Sequence, residues 1–74
     1  LYIKPIEQYV TLQQPVNFYT VVESARRKGE TAFGYKIALE AKDNRPGGGV
    51  HINPKKSALV QYAEGDCVIV AAED

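Results

Sequence analysis

Glu40, Asp43, Asn44 and His51 are the residues in this chain whose side chains are best suited to holding a ligand or an ion. Carboxylates and a carboxamide are the oxygen donors a hard cation such as calcium takes in numbers. The spacing matches no dedicated calcium loop. The chain's single His cannot build a metal site without carboxylates or a partner chain. The four residues are therefore carried forward as a candidate ligand- or ion-binding group, to be weighed against a solvated hairpin tip.

Other reactive-looking stretches have plainer explanations. Gly47-Gly48-Gly49 and Lys55-Lys56-Ser57 contain the residue types of a phosphate-binding loop. That loop needs its Gly-Lys-Ser to run straight into a helix, and here Pro54 and strand-like residues intervene. Cys67 lies in an apolar run, where burial keeps a thiol inert. Glu64, Asp66, Glu73 and Asp74 flank that run, and turn or terminal solvation accounts for them. No nucleophile, base and orienting group stand together, so no enzyme is expected.

The composition narrows the class further. Seventy-four residues make one small domain, near the size at which a core needs help from a partner surface. One Cys excludes an internal disulfide framework. Nine basic and nine acidic residues cancel, whereas nucleic-acid binders usually carry a basic surplus. No membrane span or signal peptide is visible. A first residue of Leu, with Pro5 just inside it, suggests a piece of a longer protein.

These residues must be positioned by a small set of elements. Ile6, Val10 and Leu12 share one parity and predict a strand near 6–12. In "PVNFYTVVESARRKG", Asn17 is the expected N-cap and Val16 with Val21 a hydrophobic staple. Phe18, Val21, Val22 and Ala25 form one helical stripe. Glu23 and Arg27 make an i, i+4 pair, Arg26 to Lys28 complement the dipole, and Gly29 stops the helix. Phe33, Tyr35, Ile37 and Leu39 predict a strand near 32–41, followed by the loop "KDNRPGGG" and a short strand at 50–53. Residues 58–62 read either as a further short strand or as an extended approach to the turn at 63–66.

Beyond Gly65, Cys67, Ile69 and Ala71 alternate with Val68, Val70 and Ala72, so both faces of the closing strand are apolar. One helix covers one face of such a sheet. The fold class expected is α+β: a single β-α-β-β-β domain, mostly antiparallel, with one amphipathic helix packed on one face. The uncovered face should meet a neighbouring domain or a second copy, which makes Cys67, Val68, Ile69 and Val70 candidate interface residues.

The helix start "NFYTVVE", the basic helix end, "GYKI", "NPKKS" and the closing "GDCVIVAAED" occur in an order that resembles the C-terminal lobe of regulator-of-potassium-conductance (TrkA-C) domains. The version most similar is that of the Castor/Pollux ion channels and their bacterial relatives, and the likeness runs from residue 15 to 74. The resemblance implies a cytosolic regulatory, ligand-sensing and dimerising module of a potassium or other cation channel or transporter. Its implied partners are a second copy within a gating ring, an N-terminal nucleotide-fold lobe and a pore domain, with no nucleic acid. No G-x-G-x-x-G unit occurs here, so no cofactor is expected in these residues; a divalent cation or a nucleotide would belong to the full-length protein. The competing expectation is a small β-rich nucleic-acid-binding domain, since G-D-x-V-I-V also occurs there.

Overall fold

Pro5 sets where the first strand stops. The computed structural model describes residues 1–43 and 46–72, and Tyr2–Pro5 forms β1. This corrects the strand expected at 6–12. Ile6–Gln8 is instead a 3-10 turn, in which the amides of Tyr9 and Val10 donate to the Ile6 carbonyl at 2.9 and 3.1 Å. Ile6, Tyr9 and Val10 are all buried, so the spacing that mattered was i, i+3, i+4 rather than alternation. Pro lacks a ladder donor and is tolerated here because β1 lies at a sheet edge.

After the two-residue strand β2 (Val16–Asn17), helix α1 runs Phe18–Arg27 with Asn17 as N-cap, as its sequence signals require. Asn17 Oδ1 accepts from the Thr20 amide at 3.1 Å. Phe18, Val21 and Ala25 are buried, and Val22 borders the core. Glu23 lies 3.8 Å from Arg27 and equally close to Arg26. Gly29 takes φ 75°, the left-handed stop a Cβ would strain.

Strand β3 spans Glu30–Lys36 and ends sooner than the alternation predicts. Ala38–Lys42 is a short helix, α2, and Leu39 is exposed on it. The parity of β3 breaks at a bulge: Ala32 faces Val70 and Gly34 faces Ile69, which leaves Phe33 as the extra residue. Tyr35 is consequently buried while Phe33 is not. Gly34 is required by packing as well, because a Cβ there would sit 2.1 Å from the His51 carbonyl oxygen.

Strand β4 (Val50–Ile52) pairs with β3, a two-residue strand β5 (Leu59–Val60) pairs with β2, and β6 (Cys67–Ala72) closes the chain. The main sheet has the order β1-β6-β3-β4 and all its pairings are antiparallel. The fold is α+β, with α1 over one face of a mostly antiparallel sheet. Val68 and Val70 of β6, Val21 of α1 and Ile6 are fully buried, each side chain contributing roughly 1.5–3 kcal/mol by leaving water. Among the described residues no helix is long and apolar enough to cross a membrane.

Candidate functional site

The antiparallel pairing of β3 with β4 brings two of the four candidate ligand residues together. His51 sits opposite Tyr35 on the helix-side face, and the rings stack with centroids 4.7 Å apart and planes 20° from parallel. The His51 Nε2 then meets Glu40 Oε1 of α2 at 2.7 Å. Tyr35 continues inward to an edge-on contact with Tyr62 at 5.4 Å. Burial, with the Glu40 carboxylate adding to it, raises the Tyr35 phenol above its ordinary range.

Asp43 caps the end of α2, its amide donating to the Leu39 carbonyl at 3.2 Å. Asn44 lies outside the described residues. Among the described residues no three His, Cys, Asp or Glu side chains are grouped to hold a metal ion. Among the described residues, the contact between Glu40 and His51 joins one carboxylate and one imidazole rather than the several oxygens that calcium takes. What Glu40 and His51 do make is an oriented imidazole–carboxylate pair at the sheet edge.

The other motifs resolve locally. Gly47 and Gly48 turn the chain through positive φ. The Lys56 carbonyl accepts the Phe18 amide at 3.0 Å, so a donor at the start of α1 is already used and Lys55-Lys56-Ser57 leads into β5 rather than a helix. The Cys67 sulfur lies 3.7 Å from the Gly65 carbonyl.

Two acids that the sequence marks weakly prove structural. Asp66 is 4% exposed rather than solvated. Its Oδ1 accepts from the Ala38 amide at 2.9 Å and its Oδ2 from the Ala63 amide at 2.8 Å. Its own carbonyl accepts from Ile6 at 3.0 Å. Glu30 is buried where it pairs with Lys4 and accepts from the Tyr9 hydroxyl at 2.6 Å. The Lys4 ammonium, helped by the Tyr9 hydroxyl, holds the Glu30 carboxyl below the usual range. No sequence pattern announces this pair, since β6 lies between the two strands that supply it.

The sheet face away from α1 is the larger candidate. Register aligns Ile3, Ile69, Gly34 and Ile52 in one row across all four strands. Pro5, Cys67, Lys36 and Val50 form the row beside it. Ile3 is 61% exposed and Ile52 59%, while Ile69 between them is 8% exposed. Phe33 at the bulge is 41% exposed. Lys36 is the charged member of these two rows. The helix-side row has the opposite character: Lys4, Val68, Tyr35 and His51 run in order, with polar groups at both edges. Of the candidate interface residues, Cys67 and Ile69 thus lie on the outer face. Val68 and Val70 are fully inside the chain's own core. Compared with protein-family models, curated proteins and solved structures, the chain matches none.

Proposed function

We propose that this chain is a non-enzymatic regulatory module that pairs with a second copy through its outer sheet face, as the cytosolic lobe of a potassium or other cation channel or transporter. The observation that carries the pairing is the apolar row Ile3–Ile69–Gly34–Ile52, which reaches both edges of the sheet. The channel context rests on the resemblance of residues 15 to 74 to TrkA-C lobes. A second copy suits this face because few charges would lose water there. Four strands about 4.8 Å apart, three to seven residues long, give a footprint on the order of 300 Å2 per copy. Specific pairs typically bury roughly 800 Å2 per partner. The pairing is therefore weak and reversible, and tethering within a larger assembly strengthens it by raising effective concentration.

Ligand sensing enters through β4. That strand presents His51 to Glu40 on one side and Ile52 to the paired face on the other, so a ligand that separates His51 from Glu40 moves part of the interface. The decisive experiment is analytical ultracentrifugation of the wild type and Ile52→Glu across a micromolar-to-millimolar series. The wild type is expected to dimerise at high concentration, and Ile52→Glu to remain monomeric with an unchanged circular dichroism spectrum. A folded wild type that stays monomeric throughout would overturn the pairing. Binding to oligonucleotides that weakens with salt would favour a nucleic-acid module instead.

A further inference from the structure

We draw no further inference here: the strongest candidate, the cleft of about 300 Å3 between α2 and the turn that leads into β6, closes on Asp66, whose two carboxylate oxygens are already taken by backbone amides of its own walls, so nothing there points to a ligand.

Discussion

Replacing Asp66 with Ala should cost more stability than any surface change in this chain. The carboxylate bridges two backbone amides that are far apart in sequence, Ala38 at the start of α2 and Ala63 at the turn before β6. Both bonds are part-buried and lie within 2.9 Å. Removing the acceptor leaves two donors to find water, at about 1–3 kcal/mol for each that stays unsatisfied. Because both sites are only part-buried, partial hydration brings the expected total to about 3 kcal/mol. A domain of this length has on the order of 4–11 kcal/mol in all, so the variant sits near the edge of folding. Urea unfolding of wild type, Asp66→Ala and Asp66→Asn measures this directly. Asn keeps one acceptor oxygen but turns an NH2 group toward the other amide, so an intermediate loss is expected. The urea slope should stay unchanged, since the surface exposed on unfolding is the same. Hydrogen exchange should quicken most at Ala38 and Ala63. A loss below about 1 kcal/mol for Asp66→Ala would refute the bridging role, given what an orphaned buried donor costs.

Tyr62 is 2% exposed, and its hydroxyl has no hydrogen-bond partner among the described residues. Tyr62→Phe should therefore leave stability unchanged or raise it by about 1 kcal/mol. A loss of that size in thermal unfolding would mean that the hydroxyl is bonded after all. Gly34→Ala places a methyl 2.1 Å from the His51 carbonyl oxygen, so β4 must separate from β3. Loss of the cross-peaks between the two strands in an NMR spectrum is the expected sign, and intact peaks would reject the clash. Glu30 makes stability depend on acid. Its folded value lies below the ordinary 4.5, so its contribution is present above that pH and is lost as pH falls through the depressed value. The urea-midpoint gap between wild type and Glu30→Gln should be widest near neutrality and close in acid. Parallel curves would contradict the ion pair with Lys4.

Helix α1 was legible because its signals are local. Asn17, the stripe and Gly29 each act on neighbours within about a turn, and here the tertiary packing agrees with them. Strands lack that protection. The alternation from Phe33 to Leu39 looks unbroken, yet the bulge before Gly34 resets it and α2 begins at Ala38. Both changes come from contacts far along the chain: the approach of His51 to Gly34 and the grip of Asp66 on Ala38. At the other end, parity chose a strand at 6–12 when burial of Ile6, Tyr9 and Val10 demanded a turn. The candidate site was half legible for the same reason. Pairing of β3 with β4 could be anticipated, and it places His51 near Glu40. The Lys4–Glu30 pair could not be, because it needs the full strand order.

Alternation identifies which residues share a face, but it does not say which face is the core. In both edge strands the expected polarity is inverted. β1 turns Lys4 inward to Glu30 and Ile3 outward; β4 turns His51 inward to Glu40 and Ile52 outward. Inward charges and an edge proline are devices that discourage strands of other molecules from adding to a sheet edge. Here β1 carries both, in Lys4 and Pro5. Such an edge disfavours association through backbone pairing, yet the isoleucines on the adjoining face favour association through side chains. In the proposed pairing, this combination makes face-to-face stacking the expected mode rather than extension of the sheet. It also implies that Lys4→Ile, which removes the inward charge, would weaken the fold at Glu30 while leaving the outer sheet face intact.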